Sequence, residues 1–291
     1  MKNFKNIMLV TLSVISLSAC DSLLDRAPLD VISDEQVYKD QALADRKLDL
    51  AYTKMTVMLN ECPKIRNAKE DPTWYTETDN WHGPFIVNEL ADEAVVHWIK
   101  NHSTEAKAVG ITNSGGILEW WENAYEINRV LNEFLEGMGA SSFSAQYKDE
   151  RIAEARFLRA FNYFFMVKRY GGVPLILNSQ KMSDPSSELF AKRNTEKEVY
   201  DFILSEMDDI VGKLPVRAQT ELGRPSRGAA MALKARAALY AGSIAKYGTV
   251  QLGGLLGIDA ALANDYFQKA YDACKQIRDW HEYSLYNADA D

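Results

Sequence analysis

Basic residues are too few in this chain to make a nucleic-acid-binding face. It carries 33 Lys and Arg against 41 Asp and Glu, a formal net charge of −8, whereas proteins that track phosphates present a clustered basic surface. Cysteine is scarce as well, three in 291 residues. Cys62 and Cys274 lie far apart, a domain of this size needs no disulfide to fold, and both are expected as free thiols. The four histidines, His82, His97, His102 and His281, form no HExxH, and Glu93, His97 and His102 lack the i, i+4 histidine pair of a zinc helix. No GxSxG, Walker lysine loop or strand-linked GxGxxG occurs, and "GTVQLGGLLG" around Gly253 reads only as a flexible loop. Carboxylates abound, but no pattern marks two of them as flanking a scissile bond. These gaps point away from an enzyme, a metal site and a cofactor.

A long hydrophobic run is missing too. The stretch "IMLVTLSVISL", Ile7 to Leu17, is shorter than the ~20 residues of a spanning helix. With Lys2 and Lys5 ahead of it, it reads as the n-region and h-region of an export signal. It ends in "LSAC" (Leu17, Ser18, Ala19, Cys20), which resembles a bacterial lipobox. Residues 1–19 are then a lipoprotein signal peptide, and the Cys20 thiol becomes thioether-linked to diacylglycerol at the new amino terminus. Burial of acyl methylenes at ~0.8 kcal/mol each makes such an anchor durable.

What is present is a large apolar fraction, 47%, with six Trp and fourteen Tyr, enough to bury a substantial core. The apolar residues recur mostly at helical spacing. In "NTEKEVYDFILSEMDDIVGKLP", Thr195 and Glu198 form a capping box, and Val199, Phe202, Ile203, Met207, Ile210, Val211 and Leu214 line one face up to Pro215. "RIAEARFLRAFNYFFMVKRYGGVP" ends at Gly171 and Gly172, which suit a left-handed cap, with Pro174 close behind. "SRGAAMALKARAALYAGSIAKY" starts at an N-cap, Ser226, and carries Ala229, Ala230, Ala232, Ala235, Ala237, Ala238, Ala241 and Ala245. So many small side chains admit a close neighbour. The following "DYFQKAYDACKQI" offers Tyr266, Ala270, Ala273 and Ile277 as its antiparallel partner. The expected fold is all-α, stacked helical hairpins of tetratricopeptide-like type with long loops, although no strict repeat period survives.

"CDSLLDRAPLDVISDEQVY", "WENAYEINRVLNEFLE", "AEARFLRAFNYFFMVKRYGGVPLI", "RNTEKEVYDFILSEMDDIVGKLP" and "GRPSRGAAMALKARAALYAGS" follow one another in an order that resembles the SusD/RagB family of surface lipoproteins. The resemblance runs from Cys20 to about Ile277. It implies a tetratricopeptide-like scaffold, lipid-anchored at the outer membrane and facing the cell surface. There it binds a glycan and delivers it to a TonB-dependent transporter of the SusC type; the alternatives are peptide capture in the RagB manner and an adaptor without its own ligand. Two departures from the family pattern stand out. Asn128 occupies a position where an apolar residue is expected, with Ile127 placed to compensate by a small helix rotation. Family members also extend past the equivalent of Asp291, so residues 20–291 are expected to be a helical domain truncated at its C-terminus.

The family's ligand residues lie in variable loops, so no motif transfers and the candidate site comes from composition. "DPTWYTETDNWHGPF" sets Trp74, Tyr75 and Trp81 among turn-forming residues. A pyranose presents axial C–H bonds on one face and hydroxyls at its rim, so a glycan site needs a flat aromatic with polar groups at its edge. Trp74, Tyr75, Asp79, Asn80 and Trp81 supply that set. The equal alternative is that Trp74 and Trp81 plug the scaffold. Trp120 and Trp121, within helical spacing of Ala124, Ile127 and Leu131, read as core rather than platform. Arg156, Arg159 and Glu154 read as a solvated or salt-bridged helix face rather than an anion site.

The anchor is directly testable. Cys20→Ala is expected to abolish incorporation of labelled palmitate and to release the protein from the membrane fraction. Persistent labelling of that variant would refute the lipobox reading.

Overall fold

The computed structural model describes residues 34–55 and 120–285. Among these, eight α-helices follow one another: α1 (Asp34–Val37), α2 (Gln41–Lys54), α3 (Trp121–Ala140), α4 (Ala145–Tyr170), α5 (Ser186–Leu189), α6 (Glu196–Ile210), α7 (Arg227–Tyr247) and α8 (Ala263–Asp279). The one β feature among the described residues is an isolated antiparallel bridge between Gln251 and Leu256. The long helices pack in order of sequence, α2 on α3, α3 on α4, α4 on α6, α6 on α7 and α7 on α8. This succession is the stacked-hairpin, tetratricopeptide-like architecture expected from the sequence.

Local chemistry fixes the helix ends. Asp40 caps α2 by accepting from the Ala42 and Leu43 amides at 2.8 and 3.4 Å. Ser144 and Ser226 do the same for α4 and α7, and Thr195 with Glu198 forms the expected reciprocal box on α6. Gly171 ends α4 at φ 67°, the left-handed conformation that only glycine adopts without cost. Gly172 does not share that conformation; its N–H instead donates to the Leu255 carbonyl at 2.7 Å. Helix α6 stops at Ile210, short of the Leu214 that its apolar spacing suggested, and the Lys213 amide turns back three residues to the Ile210 carbonyl in a tighter closing turn. Leu214 still packs into the core, 5% exposed.

The alanine-rich α7 packs as its composition demands. Ala230, Ala237, Ala238, Ala241 and Ala245 are fully buried, while Ala232 faces outward. At Gly242 an added Cβ would fall 2.7 Å from the Phe267 ring of α8, so that ring rests directly on the α7 backbone. Tyr266, Ala270 and Ala273 supply the buried face of α8.

The segment 248–258, expected as a flexible loop, is a closed turn. Beyond the Gln251 to Leu256 bridge, the Gly257 amide donates to the Glu196 carboxylate at 2.5 Å, and Gly257 sits at φ 84° where a Cβ would lie 2.2 Å from the Thr249 carbonyl. Three of its glycines are there for backbone geometry, not for mobility, with Gly253, Gly254 and Gly257 all at positive φ.

Between α4 and α5 the chain runs extended through "VPLILNSQ", and its backbone groups are satisfied by side chains where a sheet would use a neighbouring strand. The Tyr125 hydroxyl donates to the Pro174 carbonyl at 2.8 Å, and the Asn132 amide to the Ile176 carbonyl at 3.0 Å. Tyr163 accepts the Ile176 N–H at 2.8 Å, and Asn194 accepts the Leu175 N–H at 3.0 Å. Arg159 donates to the Leu177 carbonyl at 3.0 Å, and Glu136 accepts the Ser179 N–H at 2.7 Å. Burial pushes the Tyr125 and Tyr163 hydroxyls far above the ordinary phenol range, so both remain protonated donors. This strap lies along α3 and α4 as though it were one strand of a sheet made of side chains.

Arg159 anchors it. The residue is 6% exposed, and its guanidinium also reaches the Asn132 side chain at 2.9 Å and the Glu206 carboxylate of α6 at 3.3 Å. Arg156 completes the pairing of Glu206 from the other side, at 2.7 and 3.0 Å, and touches Asp209 at 2.8 Å. The salt-bridged reading of these arginines therefore holds and the solvated one does not. Glu154 belongs to a different group, held by Arg151 at 2.9 Å, Arg224 at 2.7 Å and the Tyr52 hydroxyl at 2.6 Å. Asn128 also departs from expectation. No helix rotation turns it out; it is 1% exposed and its carbonyl accepts from the Asn162 amide at 2.9 Å.

Three variants test this packing. Ala238→Leu forces a larger side chain into a fully buried position and is expected to destabilise the protein by ~1–3 kcal/mol, read as a lower melting temperature; an unchanged melt would disprove close packing there. Arg159→Met strands Leu177 and part of Glu206 and is expected to cost ~3 kcal/mol in urea denaturation. Arg156→Met removes a more exposed guanidinium, 22% against 8% at the side chain, and is expected to cost less. Equal losses would contradict the assignment of Arg159 as the strap's anchor.

Candidate functional site

The residues selected from the sequence as glycan ligands, Trp74, Tyr75, Asp79, Asn80 and Trp81, lie outside the described residues, as do Cys20 and Cys62. Cys274 is described and is an exposed free thiol, as expected. What the structure defines is the pair of positions that bracket residues 56–119. Met55 closes α2 and is 1% exposed, and Trp120 opens α3 and is fully buried.

Around Trp120 an aromatic knot forms where three pieces of chain meet. The Trp120 N–H donates to the Tyr170 hydroxyl at 2.6 Å, and its indole N–H donates to the Asn162 side chain at 2.8 Å. Asn162, fully buried, passes its own amide protons to the Ala124 carbonyl and to Asn128, both at 2.9 Å. A buried indole thus has its one polar group satisfied through a chain of amides, as a core tryptophan requires. The reading of Trp120 as core is correct.

Trp121 also packs against the core, as read from the sequence, but is less deeply buried. It is partly exposed, with its ring edge-on to Tyr170 (5.2 Å, 80°) and tilted against Tyr125 (5.3 Å, 58°). Tyr170 is the last residue of α4, and its carbonyl accepts from Arg193 at 2.6 Å while the same guanidinium holds the Gly172 carbonyl at 2.7 Å. Trp121, Tyr125, Tyr170 and Arg193 therefore form one unit that joins the start of α3, the end of α4 and the approach to α6. Sequence reasoning passed over Tyr170 and Arg193. Tyr170 is fifty residues from its partner, and no local pattern links "KRYGG" to "EWW".

Two of the clefts lined by described residues have charged walls. One, of about 230 Å³, lies between Glu150, Arg151, Glu154 and the turn carrying Thr220, Glu221 and Arg224. Its arginines are already paired with Glu154, Asp45, Asp49 and Glu221. The other, of about 340 Å³, lies between α6, α7 and α8. There Lys197 pairs with Asp201 and Lys234 with Asp208, and Tyr266, which donates to Asp201 at 2.7 Å, is 2% exposed. Neither cleft offers a bare aromatic face. Among the described residues no cluster of three or more His, Cys, Asp or Glu is placed to hold a metal ion.

Comparison with known proteins agrees with this architecture. A SusD-like protein of Formosa agariphila is 27% identical over 219 residues, covering 74% of this chain and 39% of its own length. A SusD-like protein of Bacteroides ovatus is 27% identical over 277 residues, covering 93% and 44% respectively. The chain thus spans about two-fifths of the length of these curated relatives. Among solved structures, a SusD-like protein of Bacteroides fragilis superposes with a TM-score of 0.58 at 25% identity, over 89% of this chain and 42% of that one. A SusD-like carbohydrate binding protein of the same species shares the fold, with a TM-score of 0.59 at 19% identity over 86% and 42%. Residues 29–239 match the family model SusD-like, described as starch-binding and associating with the outer membrane, and the chain belongs to that SusD-like family.

Proposed function

We propose that this protein captures carbohydrate at the outer membrane and passes it to a TonB-dependent β-barrel transporter. The family match over residues 29–239, with its description as starch-binding, is the observation that carries this reading. Residues 1–19 serve as the export signal, Cys20 carries the lipid anchor on the cell surface, and residues 20–291 form one helical unit. The scaffold's part is to be rigid. Its buried polar network and closely packed α7–α8 pair hold the bases of the connecting segments still, and a preformed site spends less binding energy on ordering itself.

Ligand contact is assigned to the segment between α2 and α3, with Trp74, Tyr75 and Trp81 as ring platforms and Asp79 and Asn80 as hydroxyl partners. Both flanks of that segment end in buried side chains, Met55 and Trp120, which supports a fixed base for it. Aromatic stacking supplies affinity while the edge groups discriminate among sugars. No catalytic step is part of this reading. The transporter would cover a broad face of the scaffold, on the order of 1,000 Å² or more.

Trp81→Ala distinguishes platform from plug. As a platform, its loss is expected to weaken glycan binding by ~2 kcal/mol in calorimetric titration with little change in melting temperature. As a plug, its loss would instead cost ~3–5 kcal/mol of folding stability. A large drop in melting temperature, or unchanged affinity in a folded variant, would remove Trp81 from the site.

A further inference from the structure

We propose that the closed turn after α7 is a membrane-contacting tip, which rests the scaffold on an anionic lipid surface whatever the protein captures. Large apolar side chains of this stretch face water: Tyr247 is 77% and Leu252 70% exposed, and Val250 and Leu256 are exposed beside them. At the apex, a Cβ added to Gly253 would meet nothing within 4 Å. The end of the turn is bare. A loose loop would fold such residues inward, but this one is fixed from several sides. The Gln251–Leu256 bridge closes it, the Glu196 carboxylate accepts from the Gly257 amide at 2.5 Å, and the Leu255 carbonyl accepts from the Gly172 amide at 2.7 Å. Leu252 itself is held at φ 50°, a left-handed conformation that costs a leucine free energy and persists only where its surroundings impose it. The leucine is displayed, not buried.

The charge around the turn selects its occupant. The chain as a whole carries −8, yet residues 243–258 contain no Asp or Glu and a single Lys, Lys246, which is exposed and lies 5.2 Å from the Tyr247 ring centre. Arg193 is joined to the base of the turn, since it donates at 2.7 Å to the carbonyl of Gly172, whose amide holds Leu255. Lys192, exposed, precedes it. Among the described residues none of these three cations is paired with a carboxylate, while Glu196, Glu198 and Asp259 are engaged by the backbone amides of Gly257, Thr195 and Ala261. An apolar tip, a tyrosine at its side and basic residues at its rim follow the order of layers in a bilayer interface, from acyl chains out to phosphates. A protein pocket would take the same apolar residues, but a basic rim on an acidic chain fits phosphate headgroups, and the matching family model is described as associating with the outer membrane.

The test uses the full chain reconstituted from detergent into vesicles of phosphatidylethanolamine and phosphatidylglycerol whose acyl chains carry bromine, a contact quencher of indole emission. Leu252→Trp is compared with the parent, which supplies the background of the six native tryptophans. Leu222→Trp, which adds an indole at a fully exposed position just before α7, is the control. The indole added at 252 is expected to lose emission in brominated relative to unbrominated vesicles, and the one at 222 to keep it. Lys192→Glu together with Lys246→Glu, in the Leu252→Trp background, is expected to restore most of that emission, because basic residues close to an anionic surface draw the tip toward it. Val250→Trp repeats the measurement on the same turn should a lowered melting temperature show that the left-handed position rejects tryptophan. Unquenched indoles at both 250 and 252 would overturn the proposal, whether the tip then faces water or a protein. Equal quenching at 222 and 252 would overturn it as well, since contact would then lack orientation. Quenching at 252 that both charge reversals leave unchanged would rule out the anionic surface as the occupant.

Discussion

A single buried guanidinium organises the described part of this protein. Arg159 is on α4, yet its donors are shared among Asn132 of α3, Glu206 of α6 and the Leu177 carbonyl of the strap. A charge so far from water costs several kcal/mol unless it is paired and hydrogen-bonded. The three acceptors fix the spacing of α3, α4 and α6 at one point. Hydrophobic contacts alone would tolerate sliding between helices; a guanidinium with three directional partners does not.

The strap carries this constraint toward the candidate site. An extended segment without a neighbouring strand would leave its amides and carbonyls to water, and burial of such groups is costly. Here Tyr125, Asn132, Glu136, Arg159, Tyr163 and Asn194 take the place of a strand, each bound to a strap backbone group. Tyr125 belongs to both systems. Its hydroxyl holds the strap, and its ring supports Trp121. The start of α3 is therefore linked through Tyr125 to the strap, which Arg159 also holds.

Features set by short-range chemistry were legible in the sequence. The Thr195–Glu198 box, the Ser226 cap, the left-handed Gly171 and the alanine face of α7 against α8 each depend on residues close together or on a composition with one physical use. What was not legible is long-range and polar. Asn128 looked like a misplaced polar residue because its partner, Asn162, is on another helix. "GTVQLGGLLG" looked loose because glycine signals turns and flexibility alike, and only its contacts with Glu196 and Gly172 distinguish them. The arginines of α4 were legible as a solvated or salt-bridged face, but not which of the two, because helical spacing does not say which face meets α6. Trp120 and Trp121 looked alike as core residues, and both pack there; helical spacing did not show that Trp120 is fully buried and Trp121 only partly.

Native-state hydrogen exchange at the strap tests the central claim, that side chains rather than a strand hold residues 173–180. The Ile176 amide, bound to the Tyr163 hydroxyl at 2.8 Å, is predicted to exchange slowly in the parent protein. In Tyr163→Phe its protection should fall by on the order of tenfold, the ~1 kcal/mol of one hydrogen bond. Leu175 and Ser179, held by Asn194 and Glu136, should stay protected. An Ile176 amide that exchanges freely in the parent, or one whose protection is unaltered by loss of the hydroxyl, would contradict the account.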